Sequence, residues 1–214
     1  MEKRSNIKLT LDQGLAIARD LQDDCSSNSL AEYLGVRRAF LLRRSVDARK
    51  KHDVHFVATV GIDDGADCPI AIGPIENRPI PEPACSKKRP IVVGTGPAGL
   101  FAALRLAEAG LSPIVIERGA PVEQRTKDIE RFHATRVLDT SSNVQFGEGG
   151  AGTFSDGKLT CGKNSPLTNE VLATFVAAGA PREILWQAKP HIGTDVLSAV
   201  VARMRKRIIA CGGE

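Results

Sequence analysis

Residues 91–100 of the chain read Ile-Val-Val-Gly-Thr-Gly-Pro-Ala-Gly-Leu. The three β-branched residues predict a short buried strand, and a Gly-x-Gly-x-x-Gly turn follows it directly. In such a turn Gly94 permits the tight bend, Gly96 lets the backbone approach a pyrophosphate, and Gly99 lets the next helix pack close on the strand. The start of that helix offers free N–H groups and the positive end of its dipole to phosphates.

The residues after the turn complete a strand–helix–strand pattern. The helix has an apolar face and stops at Gly110, and a second apolar strand covers residues 113–116. Glu117 follows this strand, 23 residues after Gly94, where a carboxylate can accept hydrogen bonds from a ribose. A glycine-rich turn alone is a weak signal, but here turn, helix, strand and acid agree. The alternative is an ordinary βαβ unit that happens to contain a glycine turn.

The composition is typical of a soluble globular protein, with 42% hydrophobic and 25% charged residues in 214. The net charge of +4 is small and evenly spread, so charge alone does not indicate a nucleic-acid partner. The N-terminus lacks the apolar region of a signal peptide, and no apolar run approaches the roughly 18 residues of a membrane helix. We therefore expect a cytoplasmic protein without a membrane partner.

Five cysteines are spread along the chain without a Cys-x-x-Cys pair. This distribution signals neither a zinc site nor a redox dithiol, and it predicts reduced thiols. We expect no bound metal. The cysteines are Cys25, Cys68, Cys85, Cys161 and Cys211.

Three parts are predicted along the chain. Residues 1–62 form a small α+β N-terminal domain, residues 63–89 form a proline-rich linker, and residues 90–214 form a dinucleotide-binding domain. The boundary falls near Ser86, just before the strand that leads into the glycine turn.

The residue patterns also predict individual elements. In the first part they are a strand over 6–11, a helix capped by Asp12, a helix over 30–34, and strands over 36–46 and 54–60. Beyond Glu117 they are helices from Pro121 through Val137, from Pro166 to a stop at Gly179, and from an N-cap at Thr194. In the last helix the predicted buried residues are Leu197, Val200, Val201, Met204 and Ile208, and the predicted exposed ones are Arg203, Arg205 and Arg207.

Residues 37–51 are locally basic, with seven cations and one acid. This stretch has the charge to contact RNA phosphates or an anionic cofactor tail. The alternative is a solvated strand and turn. Only Phe40 interleaves the cations, so the base-stacking component of single-strand recognition is largely missing. We do not expect a nucleic-acid partner.

Residues 143–159 carry five glycines within the eleven positions 147–157. Such a stretch cannot form a regular strand or helix, and it indicates a loop shaped by close backbone approach to a bound group. A flexible surface loop is the alternative, although Phe146, Phe154 and Leu159 give the stretch apolar anchors.

Taken together, the glycine turn with Glu117, the insertion before any third strand and the 143–159 stretch resemble a bacterial family of FAD-dependent dehydrogenases. Residues 43–51 and 189–195 fit the same family, so the resemblance covers essentially the whole chain. It implies an α/β fold in which a glutathione-reductase-type, Rossmann-like FAD-binding βαβ domain follows a small α+β domain.

The resemblance implies an oxidoreductase that transfers hydride through FAD, with an unknown small-molecule substrate and NADH or NADPH as a candidate electron donor. The glycine turn would face the pyrophosphate, Glu117 would hold the ribose, and the glycine-rich loop would approach the isoalloxazine or pyrophosphate. For Arg125 there are two alternatives: its guanidinium contacts a phosphate of the cofactor, or it is a solvated cation on the helix surface. The implied cofactor-binding residues are Gly94, Gly96, Pro97, Ala98, Gly99, Glu117, Arg118, Arg125, Gly149, Gly150, Ala151, Gly152, Thr153 and Lys158.

No catalytic residue is assigned. His191 is the one titratable residue near these motifs that fits a general acid, and a structural histidine beside Pro190 is the alternative.

Proteins of the resembling family are considerably longer, so we expect this chain to be the N-terminal part of such a protein. Its flavin domain would then be truncated before a third strand, which we expect to pair with the first. Whether the 214-residue chain is active by itself is left open by the sequence. Two other functions are considered. An NAD(P)-binding Rossmann protein is disfavoured by the long insertion after the second strand, and a non-catalytic RNA-associated flavoprotein would use residues 37–51.

Overall fold

The computed structural model describes residues 1–22, 26–62, 72–84, 88–160, 162 and 165–214. Within these ranges the strands are β1 (Glu2–Leu9), β2 (Ala39–Asp47), β3 (His55–Ile62), β4 (Ile91–Val93) and β5 (Ile114–Ile116). The helices are α1 (Leu11–Asp20), α2 (Asn28–Leu34), α3 (Pro97–Glu108), α4 (Val122–Thr135), α5 (Leu167–Ala177) and α6 (Thr194–Ala210). Single 3₁₀ turns lie at Ile75–Asn77, Ala151–Phe154 and Arg182–Leu185. The predicted mixed α/β class is confirmed.

The chain divides into two compact units, and neither is one continuous segment. The first unit comprises Met1–Ile72, Leu159–Val176 and Pro181–His191, and the second comprises Gly73–Lys158, Ala177–Ala180 and Ile192–Glu214. The sequence predicts a domain over 1–62, a linker over 63–89 and a domain over 90–214. This division describes parts that fold independently, and it stays a prediction.

The first unit is built on an antiparallel sheet with the strand order β1-β3-β2. Apolar side chains of the sheet meet those of α1 and α2, and the resulting core includes Leu9, Ile17, Leu30, Val60 and Trp186. Residues after Leu185 join this unit through main-chain bonds to β2: Arg44 N–H donates to Trp186 O, and Ala188 N–H donates to Arg44 O at 2.9 Å.

The predicted cap of α1 is wrong by two residues. Thr10, not Asp12, is the N-cap: its side chain accepts from Gln13 N–H, and the Gln13 side chain accepts from Thr10 N–H. This reciprocal capping box satisfies two of the N–H groups that a helix start leaves free. Asp12 lies in the first turn, where its charge favours the helix dipole.

The second unit contains the predicted βαβ pattern. Strands β4 and β5 pair in parallel, with Ile91 opposite Ile114 and Val93 opposite Ile116. The prediction that residues 91–93 are buried is wrong for two of them, because the side chains of Ile91 and Val93 are 64% and 81% exposed. Val92 faces the other side, towards Gly99 of α3, and no element of the described residues covers the opposite face.

The backbone after α6 lies beside β5. Val115 N–H donates to Glu214 O, and Glu214 N–H donates to Pro113 O at 2.9 Å, which is the pattern of a parallel pair. The third strand was expected to pair with the first strand of this domain, β4. At Glu214 this expectation is wrong, because the main chain bonds to β5 instead.

Two helix boundaries differ from the prediction. Helix α4 ends at Thr135, because Arg136 adopts a left-handed C-cap with φ of 60° and Val137 lies beyond it. The N-cap of α6 is Gly193, and Thr194 is the first helical residue. The five predicted buried residues of α6 are all buried, which confirms the predicted apolar face.

The prediction that Arg207 is exposed is wrong, since this side chain is only 4% exposed. Its guanidinium donates to Arg78 O at 2.9 Å and to Pro79 O at 2.6 Å, and its Nε lies 3.5 Å from Glu108 Oε1. The periodicity of α6 places residue 207 at the edge of the buried face, where a long side chain can extend to unpaired carbonyls.

Several predictions concern residues outside the described ranges. They are the boundary at Ser86, residues 63–71 and 85–87 of the predicted linker, and the thiols of Cys25, Cys68, Cys85 and Cys161. The described part of the linker includes Ile75, which is buried, and Ala84, whose N–H donates to Gly110 O at 2.9 Å. Cys211 is buried with a free thiol.

We predict that Arg207→Ala lowers the free energy of unfolding by roughly 2–4 kcal/mol, because the carbonyls of Arg78 and Pro79 lose their shared donor and a hydrogen bond to a charged group contributes roughly 1.5–3 kcal/mol. Urea denaturation measures the change. Lys206→Ala is the matched control: its exposed side chain on the same helix predicts a change within roughly 0.5 kcal/mol. Equal losses in the two variants would show that Arg207 does not hold residues 78–79.

Candidate functional site

The glycine turn between β4 and α3 has the geometry that its sequence predicts. Gly96 is the N-cap of α3 and Pro97 occupies the first helical position, where proline fixes φ and needs no N–H. Leu100 N–H donates to Gly96 O at 2.9 Å. The N–H groups of Ala98 and Gly99 precede it in the first turn, where no earlier helical carbonyl faces them.

Gly99 is required by the close approach of the helix to the turn. A Cβ built at this position would lie 2.0 Å from the carbonyl oxygen of Gly94, so no other residue fits without moving the backbone. A Cβ at Gly96 would instead meet nothing within 4 Å. The turn is therefore packed on its helix side and open on the side of Gly96.

Glu117 follows β5 and reaches across to the glycine turn. Its Oε2 accepts from Thr95 N–H at 2.6 Å and from Thr95 Oγ1 at 2.8 Å, and its Oε1 accepts from Gly119 N–H at 2.8 Å. Burial raises the pKa of this carboxyl, but the hydrogen bonds from Gly119 and Thr95 outweigh it, so the pKa is lowered overall. Glu117 is therefore held as a half-buried anion at the base of the turn.

The glycine-rich loop packs against the same turn. Gly149 N–H donates to Thr95 O at 2.8 Å, and a Cβ at Gly150 would lie 3.3 Å from Pro97 Cδ and 3.5 Å from Gly96 Cα. Gly150 has a φ of +71°, a left-handed conformation that strains a β-branched residue. The structure thus brings together the two stretches that the sequence marked separately.

Arg125 on α4 holds this loop from inside and is 0% exposed. Its Nη1 donates to the carbonyls of Glu148 and Gly150, and its Nη2 donates to those of Asn143 and Val144. The Phe154 ring lies 4.8 Å from its Cζ.

The burial of Arg125 lowers its pKa and excludes one of its two predicted roles. Burial lowers the pKa of the Arg125 guanidinium, while the carboxylates of Glu117 and Glu148 act in the opposite direction. The interpretation of Arg125 as a solvated helix cation is excluded by its burial, and the phosphate contact stays a prediction.

Glu148 connects the loop to the start of α4. Its Oε2 accepts from Val122 N–H at 2.7 Å, and its Oε1 lies 3.0 Å from Arg205 Nε. Burial raises the pKa of this carboxyl, although the bond from Val122 and the charge of Arg205 oppose that shift.

Other predicted residues lie at the rim of this region. Arg118 is exposed, and its guanidinium lies 4.2 Å from the centre of the Phe146 ring. Lys158 is exposed and pairs with Asp156 at 3.0 Å. Ala151 and Gly152 are exposed, Thr153 is buried and His191 is exposed.

Thr95 and Glu148 were missed by sequence reasoning, although each connects two parts of the site. Thr95 occupies the variable position between Gly94 and Gly96, and its side chain and main chain bind Glu117 and Gly149. No periodic pattern marks these residues, because their partners are distant in sequence. For Arg125 a signal existed: it shares the i, i+3, i+7 face of α4 with buried Val122 and Ile129.

A cavity of about 240 Å³ opens beside Glu117. Its wall is mainly apolar and includes Leu100, Val115 and Ile208. The region combines a backbone cradle that leaves Gly96 open, free helix N–H groups, an anchored carboxylate and an adjoining apolar cavity. Together these features suit a dinucleotide with a pyrophosphate and a ribose.

Comparison with known proteins is consistent with this geometry. Residues 89–127 match the family model described as "FAD binding domain". The matched segment runs from just before β4, through the glycine turn and Glu117, to Arg125 and Lys127 of α4. This match supports FAD binding by this segment.

The chain is also similar to an uncharacterized protein of Clostridium beijerinckii. The two are 40% identical over 222 residues, covering 98% of this chain and 41% of the relative. The chain thus spans less than half the length of the curated relative that it matches. Among the described residues, no helix combines the length and apolar character that crossing a membrane requires.

We predict that Arg125→Ala loosens residues 143–154, because four loop carbonyls lose their shared donor and a glycine-rich segment regains conformational freedom. Hydrogen exchange should be faster by at least a factor of about ten in this segment. Arg125→Lys should rescue it only partly, since one ammonium cannot reproduce the planar guanidinium. Lys127→Ala, an exposed position on α4, is the control. Unchanged exchange in Arg125→Ala would contradict the proposed anchoring.

Proposed function

We propose that the chain is the FAD-binding part of a flavin-dependent oxidoreductase of the dehydrogenase type. The observation that carries the proposal is the packing of one glycine-rich segment on another. Gly149 bonds to Thr95 and Gly150 lies against Pro97 and Gly96. Backbone groups from both segments therefore face one space, and the match to an FAD-binding family model supports FAD as its occupant.

Each predicted residue then has a role in the proposal. The N–H groups of Ala98 and Gly99 receive the pyrophosphate at the start of α3. Glu117 accepts from a ribose hydroxyl with the Oε1 lone pair that Gly119 leaves free, and the adenosine lies in the neighbouring cavity. Arg118 lies along the adenine or ribose.

The second glycine segment takes the other end of the cofactor. We place Ala151, Gly152 and Thr153 near the isoalloxazine or pyrophosphate, and Lys158 with Asp156 near the flavin ring. Arg125 stabilises this arrangement by holding the loop carbonyls.

Bound FAD would supply the hydride chemistry, and the residues of this chain would bind and orient it. We further propose a Rossmann-like domain of the glutathione-reductase type, NADH or NADPH as electron donor, a small-molecule substrate and a cytoplasmic location. The activity of the whole protein is likewise a proposal, because the chain spans 41% of its curated relative.

We predict that Glu117→Gln weakens FAD binding by roughly 1–3 kcal/mol, because the ribose hydroxyls lose a charged acceptor. Titration of the purified protein with FAD, followed by quenching of flavin fluorescence, measures the dissociation constant. Glu130→Gln is the control, since Glu130 is an exposed carboxylate on α4. Thermal unfolding of the apoprotein checks that the turn survives. An unchanged dissociation constant would remove Glu117 from the ribose role.

Gly150→Val tests the loop. The side chain would be strained at a φ of +71° and would fill space beside Gly96 and Pro97, so we expect no flavin to remain after gel filtration. Trp186, which lies in the core of the first unit, reports by its fluorescence whether that unit stays folded. Gly73→Val is the control, because a Cβ there would meet nothing within 4 Å. A Gly150→Val protein that purifies with full flavin content would exclude this loop from the site.

A further inference from the structure

Glu148 joins three parts of the second unit through one buried side chain. It belongs to the glycine-rich loop and is 4% exposed. Its Oε2 accepts from Val122 N–H at the start of α4, and its Oε1 lies 3.0 Å from Arg205 Nε of α6. Burying a carboxylate is costly unless donors or cations compensate it. Here both compensating groups come from helices outside the loop.

The start of α4 takes its cap from the loop. The N-cap residue is Pro121, whose side chain offers no acceptor to the first N–H groups of the helix. The acceptor for Val122 N–H is the carboxylate of Glu148, which lies 26 residues further along the chain. A carboxylate at this position accepts from a free N–H group and also interacts favourably with the positive end of the helix dipole.

The helix in turn holds the loop. Arg125 lies in the first turn of α4, and its guanidinium donates to the carbonyls of Glu148 and Gly150. The main chain adds a further contact, because Glu148 N–H donates to Ala120 O at 3.2 Å. The loop therefore caps the helix, and the capped turn of the helix fixes the loop.

Arg205 holds the Glu148 carboxylate in its capping position. Its guanidinium also pairs with Glu123 in the first turn of α4, so one cation lies between two acids that would otherwise repel each other. Burial raises the pKa of Glu148, the charge of Glu123 adds to this shift, and the charge of Arg205 opposes it. Arg205 thus favours the ionised form of the cap.

We propose that Glu148 is a positioning residue that makes the glycine-rich loop and the first turn of α4 one cooperative element. Residues 122–125 and 143–154 then open and close together, because each segment supplies the partner that fixes the other. The cooperation is a property of the apoprotein. Its effect on FAD rests on the proposed function.

Native-state hydrogen exchange of the apoprotein tests the cooperation. The amide hydrogens of Val122, Glu148 and Gly149 all bond to acceptors in another segment. If the two segments open together, these amides should show the same protection factor and the same dependence on low concentrations of urea. Different urea dependences would mean that helix and loop open separately.

Substitutions of Glu148 test its role as the coupling residue. Glu148→Ala should speed exchange in residues 122–125 as well as in 143–154, by roughly two- to thirtyfold, the range for loss of a helix cap. Glu148→Gln keeps an acceptor for Val122 N–H but loses the charge, so it should recover part of the protection in both segments. Glu130→Ala, at an exposed carboxylate of α4, is the control and should change neither.

A second pair of variants tests the cation. Arg205→Gln leaves the Glu148 carboxylate buried without its partner and should speed exchange in both segments. Lys206→Gln removes the same charge from an exposed position of α6 and should leave both unchanged. If Glu148→Ala does not fold, Glu148→Gln and Arg205→Gln make the same comparison against the unmodified protein.

Addition of FAD tests the positioning role. In the unmodified protein, FAD should protect residues 122–125 together with the loop. In Glu148→Ala it should protect the loop alone, because the contact that transmits the change to the helix is missing. A helix that merely needs a cap for stability would not change its response to FAD in this way.

The proposal is overturned if Glu148→Ala leaves residues 122–125 unchanged, if Glu148→Gln recovers no protection, or if FAD protects the loop of the unmodified protein without the helix start. A failure of the proposed function gives a different result. In that case FAD protects neither segment, while the measurements on the apoprotein still decide whether loop and helix form one element.

Discussion

The buried guanidinium of Arg125 is the interaction on which the candidate site depends. Residues 143–154 contain many glycines and form only one short 3₁₀ turn, so their own backbone bonds cannot fix their shape. Four of their carbonyls point at a single planar cation instead. Because the cation is fully buried and rigidly supported by α4, the loop gains one defined conformation against the glycine turn.

Arg207 plays the same part for another irregular segment of the second unit. It extends from α6 and donates to the carbonyls of Arg78 and Pro79, where proline limits regular secondary structure. In both cases the arginine extends from a helix and donates to main-chain carbonyls of an irregular segment, which have no partner in a helix or sheet. The described part of this unit thus combines a small parallel sheet with irregular segments held by side chains.

The sequence predicts the local features of this fold well. The apolar strands, the glycine turn, Pro97 at the first helical position and the buried face of α6 all follow from residues close in sequence. These features depend on contacts between residues that are close in sequence. At Gly99, for example, the absence of a Cβ allows the helix to approach the turn.

The features that sequence reasoning misses depend on distant partners. Arg207 looks like a surface cation, because the carbonyls that receive it lie 128 and 129 residues away. The buried face of α4 marks Arg125, but it does not mark the loop carbonyls that Arg125 holds, which lie 18 or more residues away. The exposure of Ile91 and Val93 depends on which elements cover the sheet, and the return of residues 181–191 to the first unit depends on backbone pairing with β2.

The central claim is that the glycine turn and the glycine-rich loop form one FAD site. Hydrogen exchange with mass spectrometry, on the purified protein with and without FAD, tests it most directly. The account predicts that residues 94–100 and 147–154 are protected together on addition of FAD, with no such protection by NAD⁺. Protection of the turn alone, or equal protection by NAD⁺, would contradict the account.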